Sequence, residues 1–160
     1  MNKTNVMRLL DAAGIDYAPL EYEVDEQDLS GVHTAALLGR PPEEIFKTLV
    51  LQGERTGYFV CCIPCCEELD LKKAAKAAGD KKAELLPMKE LLGVTGYLRG
   101  GCSPIGMKKK FPTFLDETCM LFDRIAVSAG LRGAMVYLTP QALTAYVQAA
   151  HRDLTKSAAG

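Results

Sequence analysis

Residues 41–64 read PPEEIFKTLVLQGERTGYFVCCIP, and this stretch decides the fold class. Two prolines followed by two glutamates predict a helical turn that runs straight into a strand at Thr48 to Leu51. ERTG predicts a turn, and YFVCCIP is rich in the aromatic and β-branched residues that suit a pleated, half-buried surface. Two such runs around a glycine-containing turn make a β-hairpin.

Working outward, Thr4 to Ala13 predicts a helix, with Val6, Leu9, Leu10 and Ala13 on one face, Thr4 as cap and Gly14 at its end. IDYAPLEYEV is extended, and Pro19 marks an edge or a bend. HTAALLG predicts a short helix ending at Gly39. Asp70 is placed to cap LKKAAKAAG, whose Leu71, Ala74, Ala75 and Ala78 form an apolar stripe that stops at Gly79. KAELL then predicts a strand, and PMKELLG a helical turn opened by Pro87. PTFLDE, CMLFDRIAVS and GAMVYL predict further strands, and PQALTAYVQAAH a last helix behind Thr139 and Pro140. The tail DLTKSAAG is expected to fray. Strands and helices are mixed without regular alternation, which predicts an α+β fold. The expectation is a single domain over residues 1–160 with a mixed, mostly antiparallel and partly barrel-like sheet surrounded by helices.

The chain has 160 residues, 48% of them hydrophobic, enough for a core without disulfide staples. Nineteen Lys and Arg against 20 Asp and Glu leave a net charge of −1, so contact with nucleic acid must come from local patches, and no DNA partner is expected. No run approaches the roughly 20 apolar residues of a membrane helix. Arg8 and Asp11 interrupt the first apolar run, which is therefore no secretory signal. The expected location is the cytoplasm, where thiols stay reduced.

CCIPCC places Cys61, Cys62, Cys65 and Cys66 within six residues. Neighbours on a strand point to opposite faces, so one zinc ion cannot easily reach both members of the first pair. A core role as small buried hydrophobes is favoured over metal or redox chemistry. His33 and His151 form no evident catalytic pair, and no GxSxG, HExxH, GxGxxG or P-loop pattern is present. Neither a hydrolase triad nor a phosphate-binding loop is supported.

Lys47 stands between Phe46 and the apolar run TLVL, where lysine is seldom buried unpaired. It is either a strand lysine with its head in water or an ammonium at the mouth of a pocket, beside a substrate carbonyl or phosphate. TGYLRGGCSPIGMKKK, residues 95–110, holds four glycines and three consecutive lysines but no His, Asp or Glu. It is either a plain surface turn or a site that works through its backbone, with N–H groups stabilising an oxyanion at about 10²–10³ in rate per donor. Lys108, Lys109 and Lys110 would then meet phosphates at the rim, or simply form a solvated face.

YEVD, FKTLV, ELDLKKAAKAAG, TGYLRGGCSPIGMKKKFPTFLD and VSAGLRG occur here in the order seen in YbaK-type Cys-tRNA(Pro) deacylases. The chain resembles that family, and the superfamily of the editing domain inserted in prolyl-tRNA synthetase, from about Val6 to Val147. The resemblance implies the YbaK fold and hydrolysis of the ester joining an amino acid to the 3′ end of a tRNA. By residue match, Lys47 is the essential lysine and Thr48 its neighbour in the pocket, and Gly101 supplies a catalytic amide. Tyr22, Gly100, Ser103, Pro104, Gly106, Ser128 and Gly130 are matched as substrate-binding positions. In the family the cysteine substrate's own thiol attacks its ester, which accounts for a site without a protein nucleophile. No metal or organic cofactor is implied. The implied partners are aminoacyl-tRNA, Cys-tRNA(Pro) in particular, and prolyl-tRNA synthetase.

Two departures bear on specificity. DLSGVHT lacks the aromatic expected near Leu29 and Ser30, and Met135 stands where an acidic residue is usual. A deacylase for Ala-tRNA or Ser-tRNA using a bound water is the sibling reading. A non-catalytic module binding tRNA or a synthetase is the rival from another class.

Overall fold

A computed structural model describes residues 2–156. From the N-terminus the chain forms α1 (Asn5–Ala12), β1 (Ala18–Glu21), α2 (Gly31–Leu38), β2 (Phe46–Gly53), β3 (Gly57–Pro64), α3 (Leu71–Ala78) and β4 (Ala83–Leu85). It continues with α4 (Leu91–Thr95), β5 (Thr113–Asp116), β6 (Ile125–Ser128), β7 (Ala134–Leu138), α5 (Pro140–Val147) and β8 (Ala150–Arg152). The helices begin where side chains satisfy otherwise orphaned N–H groups. Thr4 Oγ1 accepts from the Met7 N–H at 3.2 Å, Asp70 Oδ1 from Lys72 and Lys73, and Thr139 Oγ1 from Ala142.

The hairpin is present: β2 and β3 pair antiparallel from Phe46 opposite Pro64 to Gly53 opposite Gly57. It is the centre of a five-stranded sheet ordered β4-β2-β3-β5-β8, in which β4, β2 and β3 are antiparallel and β3, β5 and β8 parallel. A second, antiparallel sheet is ordered β1-β7-β6, with Pro19 on edge strand β1, where a missing N–H costs no ladder bond. The two sheets meet at a parallel bridge, Ile45 to Ala126. The expected partly barrel-like sheet is thus two open sheets joined at a seam, with no closed barrel among the described residues.

Three segments differ from expectation. CMLFDRIAVS is not one strand. Asp116 Oδ2 accepts from the Thr118 N–H and hydroxyl and starts a 3-10 turn over Glu117–Leu121, so the strand begins only at Ile125. The last helix stops at Val147, because Gln148 takes a left-handed φ of 55° and releases the chain to pair as β8 beside β5. The tail is not frayed as far as Lys156. Leu154 is fully buried and donates its N–H to Asp116 Oδ1 at 2.9 Å, and Thr155 bridges Leu69. Residues 157–160 of the same tail lie outside the described residues.

The five-stranded sheet is covered on both faces, so β3 reads as a continuous apolar run. One face carries Phe46, Val50, Val60 and Cys62 against Val6, Met7, Leu10 and Leu143 of α1 and α5. The other carries Leu51, Phe59, Cys61 and Ile63 against Ala74 and Ala75 of α3. Cys61 and Cys62 thus enter opposite cores, Cys65 packs in a third cluster with Ala35 and Ile45, and Cys66 is exposed, unlike its three neighbours. No helix among the described residues is long and apolar enough to cross a membrane.

Candidate active site

The seam between the sheets leaves part of one strand edge uncovered. β4 pairs with β2 only from Leu51 to Gly53, and the bridge to β6 lies at Ile45. Between these points opens a cavity of about 430 Å³, lined by every residue from Ile45 to Val50. Its other walls are Tyr22 after β1, Leu29 to Gly31 and Thr34 at the start of α2, and Leu85, Leu86, Met88 and Leu91 from the end of β4 to the start of α4. Arg99, Gly100 and Cys102 of the glycine-rich segment and Ser128 and Met135 of the smaller sheet complete it.

Two close approaches fix these walls. A Cβ on Gly31 would lie 2.4 Å from Cys65 Cβ, so only glycine lets α2 sit against the end of β3. Gly100 turns the chain at a φ of 83°, with Arg132 against it. Arg132 donates its Nε–H to the Arg99 carbonyl at 2.8 Å and reaches Glu26 at 3.4 Å. One guanidinium thereby ties the glycine-rich turn, the β6–β7 connection and the segment before α2.

The structure brings Tyr22, Lys47, Thr48, Gly100 and Ser128 together on this cavity. Gly101 lies outside its wall. The Gly101 N–H is donated to the Leu98 carbonyl at 3.0 Å, and its Cα packs so closely on Leu131 and Arg132 that a Cβ would meet their backbone at 3.2 Å. The Gly100 and Cys102 N–H groups, both on the wall, have no acceptor among the described residues. Ser103 is fully buried, with its Oγ accepting from the Ile105 N–H, and Gly130 packs on Tyr97. Pro104 and Gly106 instead border a separate depression of about 230 Å³ with Lys109, Lys110, Phe111 and Tyr146. Lys108 is exposed and donates to the Gly93 carbonyl, and Lys110 donates to Gln148.

The cavity wall has two cations, Lys47 and Arg99, and no His, Asp or Glu. Lys47 has no carboxylate partner among the described residues, which leaves its ammonium for a ligand. The two wall thiols are poor nucleophiles. Burial pushes Cys65 and Cys102 up to about 12, and the nearby Lys47 ammonium only partly offsets this for Cys65. Three of the wall hydroxyls are engaged locally. Ser30 Oγ caps α2 through the His33 N–H, Thr34 donates to the Ser30 carbonyl, and Ser128 Oγ accepts from the Gly130 N–H. The chemistry available is therefore charge stabilisation by an ammonium and backbone donors, with no general base of the protein at hand.

Leu29, Ser30 and Met135, the positions of the two departures from the family pattern, line the cavity, whereas Arg99, Cys102 and Gly31 were not expected from the sequence as site residues. Arg99 and Cys102 flank Gly100 and Gly101 in sequence, the one signal that points to them. His151, which does not line this cavity, is held by Thr144 Oγ1 at 2.8 Å from its Nε2.

Residues 30–146 match the model of the aminoacyl-tRNA editing domain. A protein of Enterococcus faecalis, provisionally named Cys-tRNA(Pro)/Cys-tRNA(Cys) deacylase EbsC, is 46% identical over 153 residues, covering 96% of this chain and 93% of its own. A solved structure described provisionally as a trans-editing enzyme for prolyl-tRNA synthetase matches with a TM-score of 0.83 at 25% identity, over 95% of each chain. The hypothetical protein APE2540 matches in fold with a TM-score of 0.85 at 24% identity, over 94% of this chain and 99% of that one.

Proposed function

This chain belongs to the aminoacyl-tRNA editing domain family, and from that membership we propose that it is a trans-editing deacylase that clears cysteine from mischarged tRNA(Pro). The observation that carries the reading is the composition of the cavity. A free ammonium and two unpaired backbone N–H groups share a wall that holds no base and no activated nucleophile. Such a site suits a substrate that brings its own attacking atom.

In this mechanism the terminal adenosine of Cys-tRNA(Pro) presents its aminoacyl ester at the edge of β2. The cysteine sulfur, once deprotonated, bonds to the ester carbonyl carbon. The carbonyl oxygen takes up the negative charge, which Lys47 and the N–H groups of Gly100 and Cys102 stabilise. The carbon–oxygen ester bond then breaks, the ribose oxygen takes a proton, and water hydrolyses the released cyclic thioester to cysteine. Holding a thiol beside its own ester gives it the advantage of an intramolecular reaction, worth up to about 7–11 kcal/mol in well-oriented cases. The donors assigned here are those of Gly100 and Cys102, while Gly101 serves the packing of the turn. Tyr22, Thr48 and Ser128 shape the pocket for the amino acid.

Lys109 and Lys110, with Lys108 beside them, meet tRNA phosphates on the outer face of the same loop. With a net charge of −1 the protein has little general attraction for RNA, and prolyl-tRNA synthetase is the partner that would deliver the tRNA.

The test is a panel of Cys-, Ala-, Ser- and Pro-tRNA(Pro) incubated with the protein. Cys-tRNA(Pro) is expected to lose its ester at least ten times faster than the others. Preferential loss of the alanyl or seryl ester would move the reading to water attack, and loss of none would leave a binding module.

A further inference from the structure

We infer that the cavity reads the α-amino group of its substrate through the main chain of β2, so that the enzyme acts on esters of amino acids with a free amine and discriminates against esters that lack one. The inference rests on the deacylase reading above and names a feature of its substrate.

Its basis is the direction of the backbone groups along β2. The Ile45 carbonyl accepts from the Cys65 N–H at 2.7 Å, on the β3 side. The Val50 carbonyl accepts from the Leu86 N–H at 2.9 Å, on the opposite side. Successive residues of an antiparallel strand turn their N–H and C=O groups to alternate edges. Lys47 and Leu49 therefore bond towards β3, and the N–H and C=O of Thr48 point to the other edge. There the Ile45–Ala126 bridge covers one end and β4 covers Leu51 to Gly53, and between them no strand pairs with Thr48 on that edge among the described residues.

The lining of the cavity says the same independently. A strand that shows a face to a cavity contributes every second residue, whereas one that shows its edge contributes all of them. β2 and its lead-in contribute six in succession, Ile45 to Val50. The opening spans about two residues, too short to seat a further strand and well sized for one amino acid. A backbone edge that no strand covers keeps its hydrogen-bonding capacity for a ligand, which gains by satisfying it.

What fits the Thr48 carbonyl is a hydrogen-bond donor carried on the carbon next to the ester, which is the amine of an aminoacyl group. No carboxylate is present on the wall, and the hydroxyls of Ser30, Thr34 and Ser128 are engaged in their own segments. The adjacent Thr48 N–H, on the same edge, would donate to the ester or ribose oxygen. Because the reader is main chain, substitutions at Thr48 would not remove it, and the test must alter the substrate.

The experiment compares Cys-tRNA(Pro) with 3-mercaptopropionyl-tRNA(Pro), which keeps the ester and the thiol and has hydrogen in place of the amine. Each kcat/KM is divided by that ester's enzyme-free cleavage rate, because the amine itself alters ester reactivity. The expected result is a loss of about tenfold or more in this ratio for the des-amino ester, as for a hydrogen bond lost from a buried group. Ratios within threefold of each other would overturn the inference and leave the deacylase reading intact. Absence of cleavage of Cys-tRNA(Pro) itself would overturn both.

Discussion

Arg132 Nε lies 2.8 Å from the carbonyl oxygen of Arg99, 33 residues away in sequence, and this bond holds the glycine-rich turn in the attitude that points it at the cavity. The same guanidinium also reaches Glu26, in the segment before α2, at 3.4 Å. Arg132→Ala is expected to lower kcat by about tenfold with a smaller change in KM, since the donors are displaced while the β2 edge stays. Arg132→Lys does not rescue it, because a flexible ammonium lacks the rigid planar N–H that meets the Arg99 carbonyl. Glu26→Gln, which breaks only an exposed pair worth about 0–1 kcal/mol, leaves kcat within twofold. Steady-state kinetics on the three variants checks the ordering, and a wild-type kcat for Arg132→Ala would remove the positioning role.

Lys47→Ala is expected to cost at least about 100-fold in kcat/KM, the scale of one lost oxyanion-stabilising group. The fold should survive, because the side chain is only half-buried and makes no ion pair among the described residues. Circular dichroism and a melting curve measured alongside the kinetics separate lost chemistry from lost structure.

Two adjacent glycines should fail for different reasons. Gly101→Ala drives a methyl to 3.2 Å from the backbone of Leu131 and Arg132, which cannot swing aside, and overpacking of this kind costs about 1–3 kcal/mol. Gly100→Ala imposes a side chain on a φ of 83°, at about 1–2 kcal/mol, and also presses on Arg132. Urea unfolding should show both losses. Equal stability of Gly101→Ala and the parent protein would contradict the close approach described here.

Stability should fall in alkali. Burial pushes the thiols of Cys62, Cys65 and Cys102 up to about 12 and Cys119 up to about 11, whereas a thiol in the unfolded chain titrates near about 8.5. A raised folded value favours the native state fully below the unfolded value, and that contribution is lost as pH rises through the window from about 8.5 to 12. Tyr97, also pushed up to about 12 by burial, adds an effect of the same sign above its own unfolded value. Urea midpoints at pH 7.5 and pH 10 should therefore differ, with the second lower, and a flat profile would refute the burial of these thiols.

Much of this architecture was legible in the sequence because it is local. Thr4, Asp70 and Thr139 act as helix caps as expected, and the hairpin pairs around its turn. Lys47 stood out because a cation in an apolar strand needs a reason, and it borders the cavity. What was not legible depends on partners distant in sequence. Ala150 continues the spacing of α5, yet the open edge of β5 captures it as β8. Gly31 looks like an ordinary loop glycine until Cys65 is placed 2.4 Å from its missing Cβ. Gly101 was expected to offer its amide to substrate, but the turn that presents Gly100 consumes it at Leu98.

The lysine face is checked by ionic strength. Lys109→Ala and Lys110→Ala should raise KM for tRNA at low salt and flatten the logarithmic dependence of binding on salt by about 0.7–0.9 per lost phosphate contact. Their kcat should stay within twofold of the parent value, because neither residue borders the cavity. A KM and salt slope that do not move would take this face out of RNA contact.

The placement of β8 gives the protein a vulnerable moment during its synthesis. Asp116 awaits the N–H of Leu154, and the outer flank of β5 awaits Ala150 to Arg152, so neither is satisfied until nearly the whole described chain has left the ribosome. A nascent molecule stalled before that point carries a bare row of amides along β5, a template on which another such molecule can align. Truncation just before Ala150 would therefore be more damaging than the loss of one short strand suggests, and would yield aggregates instead of a slightly weakened enzyme.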